Sequence, residues 1–258
     1  MNEDKKRRKF LKQIAGLGVL GIAAAGGIYG AKYLRDDKPK LRPPGAVPEE
    51  EFTALCIKCG QCLQVCPYDS ILLEDIDGKD GVGTAYIKPL ERGCYLCRLF
   101  PCILACPSGA LDHEKADIKL VHMGMAVIVN ENACLALYNK PVPDSAIDRI
   151  YDHTTVLTEE ERRTHKVQHI PGESEKRQLQ VDLLLKLEKY RGKQCTICAD
   201  LCPYEVPSEA IGMVAKNGGY IPEIREKCVG CGACVELCPT QVLNIVPRAT
   251  YDEIYKKA

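Results

Sequence analysis

Short apolar runs recur along the chain between residues that favour turns. Runs at residues 84–87, 126–129 and 220–224 lead into turn-rich segments, and runs at 71–73 and 242–246 follow such segments. Short β-branched runs bounded by Gly, Pro, Asn and Asp predict strands paired in hairpins. The segments between them should form loops and short helical turns. The pattern therefore predicts an α+β fold built from small sheets.

Residues 135–194 interrupt this pattern with a long polar stretch. Leu179, Leu183, Leu187 and Tyr190 fall at helical spacing, so residues 176–191 are predicted to form an amphipathic helix. Packing onto the body is the favoured interpretation of this stripe, and a partner-binding face is the alternative. The stretch is interpreted as a mostly helical insertion.

The first 31 residues are typical of an export signal. A basic stretch precedes a Gly- and Ala-rich apolar run at 14–31, and residues 7–12 read RRKFLK, close to the twin-arginine pattern. The alternative is a transmembrane anchor, since 18 residues is near the lower limit for crossing a bilayer. An A-x-A site at residues 23–25 allows cleavage, and an uncleaved anchor is the other reading. The segment predicts periplasmic localisation, with membrane attachment directly or through a partner.

The remaining boundaries follow from composition. Residues 32–50 contain four prolines and are predicted to be a linker, and residues 51–248 form the body, with the insertion at 135–194. Residues 16–21 match G-x-G-x-x-G, but a polybasic tail precedes them and the segment RDDKP at 35–39 follows, instead of the strand and helix that a nucleotide site needs. No nucleotide ligand is expected.

Charge and composition narrow the function further. The 258 residues carry 35 basic and 35 acidic side chains, and without the first 31 residues 29 basic and 33 acidic ones remain. A mildly acidic body is not typical of a nucleic-acid binder, so no nucleic-acid partner is expected. The dominant fact is the count of 16 Cys.

The cysteines fall into four groups of four, each ending in Cys-Pro. The first and fourth groups follow the bacterial ferredoxin run C-x2-C-x2-C-x3-C-P, and the second has two extra residues between its second and third Cys. The third group is complete only if its first Cys lies before the insertion. The predicted iron ligands are Cys56, Cys59, Cys62 and Cys66; Cys94, Cys97, Cys102 and Cys106; Cys134, Cys195, Cys198 and Cys202; and Cys228, Cys231, Cys234 and Cys238.

This spacing predicts four 4Fe–4S clusters. Disulfides are one alternative for an exported protein, but a disulfide scaffold has no reason to repeat the two-two-three spacing before Pro. Zinc is the other alternative, but zinc sites rarely use a third, evenly spaced Cys. Every Cys is assigned to a cluster, and no catalytic constellation is left over. The expected role is that of an electron carrier rather than an enzyme.

The chain resembles the NapG/MauM ferredoxin-type proteins. The resemblance is carried by the twin-arginine start, by residues 106–111 (CPSGAL), by residues 123–129 (MGMAVIV) before Cys134, and by the split third group ending at Cys202-Pro203. The stretch from Cys134 to Cys195 is longer than this family leads one to expect, which leaves the terminal acceptor open.

The resemblance implies a periplasmic electron-transfer subunit, part of a quinol dehydrogenase complex. It implies a NapH-like membrane ferredoxin-type partner that oxidises quinol, and a periplasmic cytochrome c or terminal reductase, of the nitrate or nitrous oxide type, as the acceptor. The alternative function is an accessory protein that matures or reductively activates a periplasmic metalloenzyme.

In a two-cluster ferredoxin module, the fourth Cys of each group binds the cluster of its partner group. Neighbouring groups could pair, or the second and third groups could form a module nested inside the first and fourth. Nesting is the favoured prediction, because residues 108–110, 127–129 and Cys134 look like the central segment of polyferredoxin subunits. It places Cys238 with Cys56, Cys59 and Cys62; Cys66 with Cys228, Cys231 and Cys234; Cys202 with Cys94, Cys97 and Cys102; and Cys106 with Cys134, Cys195 and Cys198.

The export prediction is tested by changing Arg7 and Arg8 to Lys. Because the twin-arginine pattern requires both arginines, folded protein bearing clusters should stay in the cytoplasm. Cell fractionation with an iron assay measures this. Normal periplasmic delivery of the double variant would show that the twin-arginine interpretation is wrong.

Overall fold

The computed structural model describes residues 39–75 and 81–256. Of these, residues 39–73 and 83–256 form one compact unit. Within the described ranges, no helix combines the length and apolar character needed to cross a lipid bilayer. The predicted export signal lies outside the described residues.

Six short strands form three separate antiparallel pairs, as the apolar runs predict. They are β1 (Ile71–Leu73), β2 (Ala85–Ile87), β3 (Gly124–Ile128), β4 (Ile211–Lys216), β5 (Gly219–Ile224) and β6 (Leu243–Pro247). Strand β1 pairs with β2, β3 with β6, and β4 with β5. All five runs identified in the sequence lie in or overlap these strands, so the strand prediction is confirmed.

Ten α-helices lie in the described residues. They are α1 (Glu49–Leu55), α2 (Gln61–Gln64), α3 (Pro101–Leu104), α4 (Asp144–His153), α5 (Glu159–Thr164), α6 (Glu175–Glu188), α7 (Ile197–Asp200), α8 (Pro207–Ala210), α9 (Ala233–Leu237) and α10 (Tyr251–Tyr255). Helices α2, α3, α7 and α9 each lie between the second and the fourth Cys of a group. The repeat in the sequence is therefore also a repeat in local structure.

The strand pairs divide the body into two similar modules. In module A, residues 39–115, the β1–β2 hairpin separates the first two Cys groups, and Ala46 bridges to Leu111 on their outer sides. In module B, residues 121–250, the β4–β5 hairpin separates the third and fourth groups, and β3 pairs with β6 outside them. Strand β2 alternates buried and partly buried positions, as expected of an antiparallel strand with one face on the core. The α+β prediction of two ferredoxin-like modules is confirmed.

The segment assigned to a linker contacts module A from its first described residues onward. Leu41 is buried and bridges to Ile87, and Val47 is buried as well. Arg42 is also buried, where its guanidinium donates to Glu49 and to the carbonyl of Ala85. The body therefore begins before residue 51, because apolar residues among the prolines have a surface to pack against.

The insertion folds into helices α4, α5 and α6. Helix α5 begins with a capping box in which Thr158 and Glu161 satisfy each other's backbone amides. Helix α6 buries Gln180, Val181, Leu184 and Leu187. The predicted helix is present, but its buried face is shifted by one position from Leu183 to Leu184. Because residues 183–185 are all Leu, helical periodicity in the sequence cannot show which of two adjacent faces is buried.

The insertion binds both modules through polar contacts. Lys176 Nζ lies 2.6 Å from Asp69 Oδ1, and Gln180 donates to the carbonyl of Pro67 at 2.7 Å. From helix α4, Arg149 donates to the carbonyl of Glu236 at 2.6 Å. These contacts fall close to the last cysteine of the first group in module A and of the fourth group in module B. The insertion therefore packs onto the body, which is the favoured interpretation of its apolar stripe.

Modules A and B meet at a backbone contact between two cysteines. The amide of Cys94 donates to the carbonyl of Cys231 at 2.9 Å. Gly93 makes this approach feasible, because a Cβ at that position would lie 2.6 Å from the backbone of Gly232 and Ala233. No other residue lacks a Cβ, so a side chain here would push the modules apart.

A buried carboxylate reinforces the same interface. Glu236 is fully buried, and its Oε2 accepts the amide of Gly93 at 2.6 Å. Its Oε1 lies 3.5 Å from Nη1 of Arg92. Burial raises the pKa of Glu236 despite the nearby arginine. The side chain belongs to module B and its partners to module A, so it ties the two together.

Replacing Glu236 should lower the free energy of unfolding of the two joined modules. In Glu236→Ala the amide of Gly93 is left buried without an acceptor, which we expect to cost about 2–3 kcal/mol of unfolding free energy. Glu236→Gln keeps a carbonyl oxygen and should cost less. Anaerobic urea unfolding of the iron-loaded protein measures this, with Glu91→Ala at an exposed position as the control. Equal midpoints for Glu236→Ala and Glu91→Ala would contradict this account of the interface.

Candidate iron–sulfur sites

The structure gathers the first group with a cysteine of the second. Cys56, Cys59, Cys62 and Cys106 line one cavity, which we call site I. Helix α1 leads directly into Cys56, and helix α2 carries Cys62. Helix α3 ends shortly before Cys106, so the second group returns its last thiol to the first.

Site II is the complement of site I within module A. The thiols of Cys94, Cys97 and Cys102 lie close enough to that of Cys66 for their charges to interact. Three of the four thiols are buried, and Cys97 is half-buried. Module A therefore holds two sites of four thiols, each closed by a cysteine of the other group.

Module B repeats this arrangement. Cys134, Cys195, Cys198 and Cys238 line one cavity, which we call site III. Cys202, Cys228, Cys231 and Cys234 line another, which we call site IV. Cys134 joins Cys195 and Cys198 across the insertion. The split third group inferred from the sequence is therefore brought together in space.

The predicted nesting of modules is wrong. Cys106 lies with Cys56, and Cys238 lies with Cys134, whereas nesting requires the two to be exchanged. Hairpin β1–β2 folds the second group back onto the first, and hairpin β4–β5 does the same for the fourth group on the third. Closing the short loop of a hairpin costs less chain entropy than closing a connection that passes around another module. The hydrogen bonds of the strand pair stabilise the pairing of neighbouring groups further.

Left-handed residues shape the loops around the first cysteines of the groups. Lys58, Leu96 and Gly230 stand two positions after the first Cys of their groups, with φ of 61°, 47° and 69°. Most residues avoid this conformation, and it costs Lys58 and Leu96 some backbone strain. It allows cysteines spaced by two residues to turn toward one point, as ligands of a single cluster must.

Backbone amides also point at the fourth cysteine of three groups. Cys66 Sγ accepts from the amide of Ser70 at 3.4 Å, Cys106 Sγ from Leu111 at 3.4 Å, and Cys238 Sγ from Val242 at 3.3 Å. Donors aimed at sulfur stabilise a thiolate, the form that binds metal.

Burial keeps most of the free thiols protonated. It raises the pKa of Cys62 and of Cys195 to about 11 and that of Cys97 to about 12. Cys106 differs: burial acts to raise its pKa, but hydrogen bonds from Leu111 and Ser108 hold it below the usual value. Because thiols bind metal as thiolates, cluster binding must displace protons from these buried cysteines.

Electrostatic interactions between thiols of different sites order the four sites in space. Cys62 of site I interacts with Cys102 of site II, and Cys198 of site III with Cys234 of site IV. Across the module interface, Cys94 of site II interacts with Cys231 of site IV. The order is therefore site I, site II, site IV, site III.

These sites fit the donor set of 4Fe–4S clusters. Each gathers four cysteine sulfurs, as the ligation of a cubane by four cysteines requires. Among the residues that the structure describes, no three His, Cys, Asp or Glu side chains lie close enough together to hold a single metal ion. His165 and His169 pair with acidic residues of the insertion instead, at distances of 3.1 Å to Asp148 and 3.0 Å to Asp182.

Comparison with known protein families identifies two iron–sulfur domains. Residues 55–110 match a 4Fe-4S dicluster domain, and residues 193–243 match a second model with the same description. The first range holds the first two Cys groups, and the second holds the fourth group with most of the third. Both matches therefore agree with the pairing of neighbouring groups.

Whole-chain relatives are ferredoxin-type proteins. The chain is 28% identical to the methylamine utilization ferredoxin-type protein MauM of Paracoccus denitrificans, over 89% of this chain and 83% of the relative. It is 28% identical to the ferredoxin-type protein NapG of Escherichia coli K12, over 90% and 80% of the two chains. No solved structure matches significantly. The resemblance to NapG and MauM seen in the sequence is confirmed.

Paired cysteine substitutions distinguish neighbour pairing from nesting. Cys56→Ala with Cys106→Ala removes two ligands of site I, so about 4 of about 16 iron atoms should be lost. Cys56→Ala with Cys238→Ala removes one ligand from site I and one from site III, so about 8 iron atoms should be lost. Iron and sulfide are measured after anaerobic purification. A loss of about 8 iron atoms in the first variant and about 4 in the second would instead support nesting.

Proposed function

We propose that this chain, an iron–sulfur electron-transfer protein of the ferredoxin type similar to NapG and MauM, is a four-cluster relay. In this proposal the sixteen cysteines of sites I to IV hold four 4Fe–4S clusters. A bound 4Fe–4S cluster takes up and returns one electron. The relay carries electrons from a quinol-oxidising membrane partner to a periplasmic reductase, and the chain itself converts no substrate.

The observation that carries this proposal is the continuous order of the sites. The thiols of adjacent sites lie close enough for their charges to interact, and at the module interface the amide of Cys94 donates to the carbonyl of Cys231. Gly93 and Glu236 hold that junction closed. The residues between sites II and IV therefore serve to keep the two modules within reach of each other.

The partners in the proposal follow from family resemblance. The electron donor is a NapH-like membrane ferredoxin-type protein, and the acceptor is a periplasmic cytochrome c or a terminal reductase of the nitrate or nitrous oxide type. The chain would reach the periplasm folded by the twin-arginine route, because clusters are assembled before export. The relatives named ferredoxin-type proteins over most of the chain support an electron-carrier role.

The test is quinol reduction in the isolated complex. The protein, purified anaerobically from native membranes with its bound partners, should contain about 16 iron and 16 sulfide. A reduced quinone analogue should then give the EPR signals of reduced 4Fe–4S clusters. Dithionite-reducible clusters that no quinol reduces in the complex would contradict the proposed role.

A variant that lacks site IV provides the matched control. Cys228→Ala with Cys231→Ala removes one site in the middle of the order, and quinol should then reduce the clusters on only one side of the gap. Dithionite should still reduce the three remaining clusters. Full quinol reduction of those three would show that the sites do not act in sequence.

A further inference from the structure

The four groups differ at the residue that follows Cys-Pro. This position is Tyr68 in the first group, Ser108 in the second, Tyr204 in the third and Thr240 in the fourth. The hydroxyl of Ser108 lies 3.7 Å from Cys106 Sγ, within hydrogen-bond distance for sulfur. Thr240 makes no such bond to the last cysteine of its group among the hydrogen bonds of the described residues. Site I is thus distinguished by a side-chain contact to a sulfur.

Cys106 also receives backbone donors. The amide of Leu111 donates to its sulfur at 3.4 Å, and the amides of Ser108 and Gly109 lie close enough to help lower the pKa of Cys106. A left-handed φ of 74° at Gly109 turns the backbone so that these amides converge. The last cysteines of the first and fourth groups have one amide each at comparable distance.

Ser108 must be the donor once iron is bound. A cysteine that ligates iron has lost its proton, so its sulfur can only accept. Reduction adds negative charge to the cluster and its sulfurs, and a hydrogen bond to sulfur stabilises that charge. Such bonds are among the factors that set cluster potentials. The donors around Cys106 should therefore favour the reduced state at site I.

Solvent exposure should also favour the reduced state at site I. Of the sixteen cysteines, only Cys59 of site I is exposed. The neighbouring Ile57 is 63% exposed, so solvent reaches this end of the order. At the opposite end, Cys134, Cys195 and Cys238 of site III are buried. Solvent near site I adds to the stabilisation of negative charge.

We propose that site I is the electron exit of the relay and that Ser108 raises its potential above those of the other three sites. One electron leaves site II, which is oxidised, and arrives at site I, which is reduced. Site I then passes it to a one-electron acceptor protein and is oxidised again. This inference rests on the proposed four-cluster relay and gives it a direction, from site III through sites IV and II to site I.

The test is an EPR-monitored redox titration of the purified, iron-loaded Ser108→Ala protein. Losing one hydrogen bond should shift the reduction equilibrium of the most positive cluster about fivefold toward oxidation, about 40 mV for a one-electron couple. The other three transitions should stay in place. Ser108→Thr keeps a hydroxyl and should restore most of the shift.

Thr240→Ala is the matched control at the equivalent position, and it should leave all four potentials unchanged. If no transition moves in Ser108→Ala, the tuning role is wrong. If a lower-potential transition moves instead, site I is not the exit. Because the titration uses chemical reductants and no partner, its outcome is separate from quinol reduction. Failure of the relay itself would be seen as missing iron or as clusters that quinol does not reduce.

Discussion

The fold depends on the exchange of one cysteine between neighbouring groups. A group of three cysteines spaced by two residues can surround only part of a cluster, and the fourth thiol must arrive from elsewhere. Cys106 completes site I and Cys66 joins site II, so each site takes its thiols from both sides of hairpin β1–β2. The small core, with three Phe and no Trp, makes this dependence stronger. Metal binding in such a module contributes directly to its folding free energy.

The same exchange explains how two modules become one body. Cys94 of module A and Cys231 of module B are ligands of different sites, and their backbones are joined by a hydrogen bond. Glu236 accepts the amide of Gly93 across this contact, and the insertion bonds to both modules through Arg149 and Lys176. The insertion starts after the first cysteine of the third group and ends before the second, so both of its ends are fixed at site III. It therefore contacts module A through Lys176 and module B through Arg149 while both of its ends stay at site III.

Much of this could be read from the sequence, and the failures have physical causes. Cysteine spacing identified all sixteen thiols that the four sites bring together, including the separated Cys134, and apolar runs located the strands. Spacing within a group says nothing about which group supplies the fourth thiol, and the pairing was therefore wrong. The strands that flank each pair of neighbouring groups were the sequence signal from which the correct pairing could be predicted. Glu236 and Gly93 could not be found, because a buried carboxylate and a close backbone approach leave no periodic pattern. Ser108 was visible only as one residue in a motif, without its distance to sulfur.

The central claim is that four thiol sites, closed by exchange between neighbouring groups, lie in one continuous order. Crystals of the anaerobically prepared protein, with anomalous diffraction measured at the iron edge, test it most directly. We expect four iron clusters in the order site I, site II, site IV, site III, with Cys106 on the cluster of Cys56 and Cys94 beside Cys231. Fewer than four iron clusters, or Cys238 on the cluster of Cys56, would contradict it.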